Sequence, residues 1–220
     1  MSGLVCFAPI ADIPRTWKSV STRGDMMDKF EFYFSFYGLM LGLSAAEVVS
    51  GLANAISSRK AVTIGILTPL LAAFVLMDIT SYWMWAWATK DRVEISWGLM
   101  IGGLIVAVTY YLAAALVFPR RIDEWPVLDD HYWEHKKFIL GGLALANALS
   151  TGFTIYHYPP SLTDTVMFVW IAVYWVPLTA LLFTRTRRTD TLLLGLLVVQ
   201  FLAAGSGLFP NSEWGNSIGL

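Results

Sequence analysis

Residues 62–88 read VTIGILTPLLAAFVLMDITSYWMWAWA. The run exceeds the roughly 20 mostly apolar residues that cross a bilayer as a helix. It carries one acid, Asp78, beyond its middle and closes on Tyr82, Trp83, Trp85 and Trp87, side chains that gather where lipid meets water. Five further runs of the same kind lie at 32–57, 96–118, 138–157, 163–184 and 191–209, and all 15 Lys and Arg fall outside the six. Over 220 residues the chain is 56% hydrophobic and 14% charged, where soluble domains carry nearer a quarter. These features predict an all-α, polytopic membrane bundle of six transmembrane helices. They exclude a disordered chain, a disulfide scaffold and a sizeable soluble catalytic domain. The expected organisation is an interfacial tail over 1–31, a membrane domain over 32–209 and a tail over 210–220. The halves 32–118 and 138–209 are joined by a loop at 119–137.

Proline and charge refine that plan. Pro119, Pro159, Pro160 and Pro210 mark span ends, whereas Pro69 and Pro177 fall inside the second and fifth spans and are expected to kink them. Nine Lys and Arg (59, 60, 120, 121, 136, 137, 185, 187, 188) lie on one side and six (15, 18, 23, 29, 90, 92) on the other. Positive charge near span ends stays cytoplasmic, so both termini are expected outside, in the periplasm of a bacterial inner membrane. Residues 1–31 lack an apolar core with a cleavage site, so the first span is expected to direct insertion.

Two acids lie well inside the spans, Glu47 and Asp78. A charged carboxylate at the bilayer centre costs about 2.5–3.5 kcal/mol on insertion scales, so both are expected to turn inward. At helical spacing Ser44, Glu47, Ser50, Gly51 and Asn54 form a small, polar stripe, echoed on the fourth span by Asn147, Ser150, Thr151 and Thr154. Ser81 and Tyr82 follow Asp78 by one turn. An offset of 100 aligns Gly42 with Gly142, Leu43 with Leu143, Ala46 with Ala146 and Ser50 with Ser150, and sets Glu47 against Asn147. Three spans per half is the arrangement of a 3+3 inverted repeat. Glu47, Asp78, Asn147, Ser50, Asn54, Ser81 and Thr151 are therefore the candidate proton or ion pathway. The competing reading makes these polar groups interhelical fasteners. Gly38 with Gly42, and Gly98 with Gly102, have the G-x-x-x-G spacing of helix-packing or homodimer faces.

Enzyme signatures are absent: no G-x-S-x-G, P-loop or dinucleotide fingerprint occurs. His131 and His135 lack the H-E-x-x-H order of a zinc site and are expected in a solvated interfacial loop. His157, at a span edge, has no intramembrane histidine to share a haem. No metal or cofactor is expected, and the lone Cys6 closes no disulfide. A net charge of −1 without a basic stripe argues against nucleic acid as a partner.

The segment Thr109-Tyr110-Tyr111-Leu112-Ala113-Ala114 to Phe118-Pro119, then Leu128-Asp129-Asp130-His131-Tyr132 and Lys136-Lys137-Phe138, resembles a pattern of uncharacterised six-helix bacterial inner-membrane proteins. That resemblance implies the fold and a bacterial membrane, and brings no activity with it. The functional expectation is a homo-oligomeric proton or cation channel, or a small transporter, whose partner is the lipid bilayer. The alternative is a non-transporting accessory subunit of a larger respiratory or photosynthetic membrane complex, docked through its aromatic exterior. A third reading is a lipid-modifying enzyme using His131, His135 and the Asp129-Asp130 pair at the interface.

Overall fold

The computed structural model describes residues 21–89 and 96–205, with side chains from residue 34 onward. Six helices follow one another: α1 Ser21–Ser57, α2 Leu67–Ala88, α3 Trp97–Val117, α4 Leu128–His157, α5 Thr165–Phe183 and α6 Arg187–Gly205. A 3₁₀ turn, Ile122–Glu124, precedes α4. Each helix contains a segment long and apolar enough to span a bilayer. The chain is an integral, multi-pass, all-helical membrane protein, with no strand among the described residues.

The packing explains the composition. α3 lies between α1 and α4, and α2 contacts α1, α4 and α6, while α5 rests on α4 and α6. Leu71, Phe74, Tyr110, Leu143, Leu178 and Leu194 fill the centre without exposure. Outward-facing Leu39, Trp97, Phe138, Phe183 and Leu192 leave a broadly apolar exterior. Around six apolar spans this is the surface that lipid covers, because hydrocarbon imposes no penalty on exposed Leu or Phe.

Several expectations are corrected. α4 begins at Leu128, so the loop expected over 119–137 ends ten residues early, and His131, Tyr132, Trp133 and His135 are helical. Lys136 and Lys137 lie on α4, and Arg187 and Arg188 open α6, so the helices do contain basic residues. Hydropathy breaks off at these charges, but the backbone continues, because Lys136 meets Asp190, Arg187 meets Asp129, and Lys137 and Arg188 are exposed. Pro69 is the third residue of α2, in the first turn, where a missing N–H removes no intrahelical bond. Pro177 lies inside α5 as read. α1 begins at Ser21, so the tail expected over 1–31 is helical over its last eleven residues, while residues 1–20 and the tail expected over 210–220 lie outside the described residues.

The start of α2 is set from a distance. Thr63 N–H donates to Pro126 O at 2.9 Å and Leu128 N–H to Thr63 O at 3.1 Å, a short parallel bridge between two connections. This delivers Asp129 to the first turn of α2, where its Oδ1 accepts from Leu67 N at 3.1 Å and Thr68 N at 3.2 Å. The residue preceding α2, Ile66, has no capping side chain. Asp129 therefore caps the orphan N–H groups in trans. Gly65 sits against the same carboxylate, in space that a Cβ would need.

Candidate functional site

Asp78 is the twelfth of the 22 residues of α2, about midway across the bundle, and its side chain is fully buried. Three neighbouring helices each supply one neutral donor. Tyr110 of α3 donates its hydroxyl to Oδ2 at 3.1 Å, Asn147 of α4 donates Nδ2 to the same oxygen at 2.8 Å, and Tyr174 of α5 donates to Oδ1 at 3.0 Å. Asn147 Nδ2 also reaches Tyr110 Oη at 3.3 Å and Leu143 O at 3.0 Å. Among the described residues no Lys, Arg or His pairs with Asp78.

This donor set suits a carboxylate, which accepts through both oxygens. It also suits the neutral acid. Either tyrosine oxygen can accept the proton of the neutral acid once its own hydroxyl turns away. The cluster can thus hold Asp78 in both proton states by turning side-chain termini, with no movement of the helices.

Polar character continues from Asp78 in one direction only. Towards the C-terminal end of α2, the Tyr82 ring packs 5.5 Å from both Tyr110 and Trp85, and Trp85 Nε1 donates to Thr154 Oγ1 at 3.0 Å. Tyr82, Trp83 and Trp85 are therefore engaged with the bundle, whereas Trp87 is exposed in the expected aromatic belt. Towards the other end, Leu71, Phe74, Leu140, Leu143, Leu194 and Leu197 form a fully buried apolar layer.

Beyond that layer lies a second polar cluster. Lys136 of α4 and Asp190 of α6 form an ion pair at 2.6 Å with almost no exposure. Tyr132 donates to the same Asp190 oxygen at 2.7 Å, and Lys136 also donates to Thr184 O at 2.5 Å. The Lys136 ammonium stands 4.5 Å from the Trp133 ring centroid. Asp129 Oδ2 lies 3.1 Å from the exposed Arg187 guanidinium, an ion pair whose N–H is not aligned for a hydrogen bond. His131 is buried with Nε2 2.9 Å from Leu116 O, and its ring stacks on His135 at 4.1 Å. These histidines belong to a helix and its packing, not to a solvated loop. Asp129, engaged as a helix cap, and exposed Asp130 do not form a paired acidic site.

The seven candidate pathway residues separate. Asp78 and Asn147 meet. Ser81 donates to the Asp78 backbone carbonyl at 2.8 Å, not to its carboxylate. Thr151 is half-buried one turn beyond Asn147. Glu47, Ser50 and Asn54 are exposed on the outer side of α1, against the expectation that Glu47 turns inward. α1 buries Tyr37, Leu41, Ser44, Val48 and Ala55, and at 100° per residue Glu47 stands about 80° from that stripe. The offset that sets Glu47 against Asn147 thus joins an outward residue to an inward one. Among the glycines, Gly38 packs on the Trp83 ring, while Gly42, Gly98 and Gly102 meet no neighbouring element. The sequence reading missed Tyr110 and Tyr174 as Asp78 partners. Their signal was position: both lie in mid-span, away from the interfaces where tyrosine normally sits, and a buried hydroxyl there requires a partner.

No family model, curated protein or solved structure matches the chain.

Proposed function

We propose that the protein conducts protons, or couples a proton to movement of a cation, across a bacterial inner membrane, with Asp78 as the group that takes up and releases the proton. The observation that carries this reading is a fully buried mid-span carboxylate held by three neutral donors from three helices, with no basic partner among the described residues. An intramembrane acid whose charge is not cancelled is costly as a structural fastener, and such groups commonly mark proton relays. The polar side chains towards the C-terminal end of α2 support access from that end. The apolar layer at Leu71, Phe74 and Leu143 supports closure towards the basic end. By the positive-inside rule, the basic end faces the cytoplasm and access is periplasmic.

Purified protein in liposomes enclosing a pH-sensitive dye tests this under an imposed potential. Wild-type protein should acidify or alkalinise the lumen faster than protein-free vesicles. Asp78→Asn, which keeps the shape and most hydrogen bonds, should fall to the protein-free rate with size and helicity unchanged. Wild-type flux in a correctly assembled Asp78→Asn protein would overturn the proposal.

A further inference from the structure

The outward Glu47 is not used by the Asp78 cluster, and neither its carboxylate, the Ser50 hydroxyl nor the Asn54 amide bonds to another described residue. Glu47 is the fourteenth residue of the 24-residue membrane segment Phe34–Ser57, so it faces outward near the middle of the bilayer. Hydrocarbon offers a carboxyl group no hydrogen bond, and polar residues at such positions drive helix association. The surrounding face is built for close approach. Leu43, Ser50 and Ser57 recur every seven residues, with Ala46 and Ala53 seven apart between them, and all five are exposed. This is the a/d spacing of a two-helix seam, here made mostly of small side chains. Glu47 and Asn54, also seven apart, border it on one side.

We propose that this face of α1 pairs in parallel with the same face of a second copy of the chain. The occupant follows from the face's own chemistry. Copies inserted in one orientation are related by a two-fold axis along the membrane normal, which places each residue at the depth of its counterpart. Along the membrane normal, Glu47 then lies only about 4.5 Å, less than one turn, from the level of the partner copy's Ser50, so that across a close seam its long side chain is directed at that hydroxyl. The seam thus carries both the acceptor and the donor that it needs, and Ala46 and Ala53 let the backbones come close.

The test uses full-length protein carrying Cys6→Ser, which removes the only native thiol, in dilute phosphatidylcholine vesicles. Ser50→Cys should cross-link to a dimer under copper–phenanthroline oxidation, whereas Leu192→Cys on the exposed face of α6 should not. By energy transfer between labelled copies, Glu47→Leu should raise the dimer dissociation constant about 3- to 30-fold, the value of one intramembrane hydrogen bond. Ala46→Trp should leave monomers of unchanged thermal stability, since Ala46 supports nothing within its own bundle. Monomers at every protein-to-lipid ratio, equal cross-linking at position 192, an unaltered dimer in Glu47→Leu, or capture of a different polypeptide by Ser50→Cys in native membranes would each overturn the proposal.

Discussion

Replacing Lys136 by Met removes one half of an ion pair that water cannot reach. The two charges are 2.6 Å apart, with side-chain exposures of 3% and 0%. At an effective dielectric constant of about 20, their attraction is about 6 kcal/mol. That value is gross, since both ions also lose several kcal/mol of hydration on burial. The single substitution forfeits the attraction and leaves the hydration loss of Asp190 in place. Tyr132 then remains its hydrogen-bond donor, and Oδ1 has no partner among the described residues. The expected loss of stability is about 3–5 kcal/mol. Asp190→Asn strands the ammonium instead, while keeping an acceptor for Tyr132, so it removes charge more than hydrogen bonding. In Lys136→Met/Asp190→Asn neither charge is buried, and the double variant should lose less than the sum of the singles by more than about 2 kcal/mol. Reversible unfolding in mixed micelles, followed by circular dichroism, measures all four proteins. Losses that add to within about 0.5 kcal/mol would refute the reasoning, because independent sites add in that way.

Two further outcomes follow from the packing. Asp129→Ala should destabilise the protein by about 0.5–2 kcal/mol through the lost cap on α2. Gly65→Ala should cost about as much or more by pushing that carboxylate away, with protection of the Leu67 and Thr68 amides in hydrogen exchange falling in both variants. Gly51→Leu should severely impair folding because the new side chain meets the Phe118 ring, whereas Gly102→Leu, with open space before it, should change thermal stability by no more than about 0.5 kcal/mol.

The helices were legible because their signal is local. Twenty apolar residues in a row need no partner to be recognised, and five of the six spans end within a few residues of their observed C-terminal bounds. The start of α4 was illegible because its first turns carry Asp129 and Lys136, whose tolerance depends on Leu67, Thr68 and Asp190 elsewhere in the chain. Asp78 stood out as an isolated acid, and Asn147 shared its level. The direction in which Glu47 points was decided by Tyr37, Leu41 and Val48, which claim the inner side of α1. Residues three apart on a helix are separated by about 60°, enough to put Ser44 inside and Glu47 outside.

The trans cap on α2 also imposes an order on biosynthesis. Leu67 and Thr68 leave the ribosome some 60 residues before Asp129, the residue that satisfies their N–H groups. During that interval α2 enters the membrane with its first turn dependent on water or headgroups, and α3 must insert before the cap arrives. A nascent chain stalled before residue 129 should therefore hold α2 with a frayed start, and release past that point should lock it. The α1–α2 and α3–α4 connections thus act as a latch, closed by the fourth helix on the second.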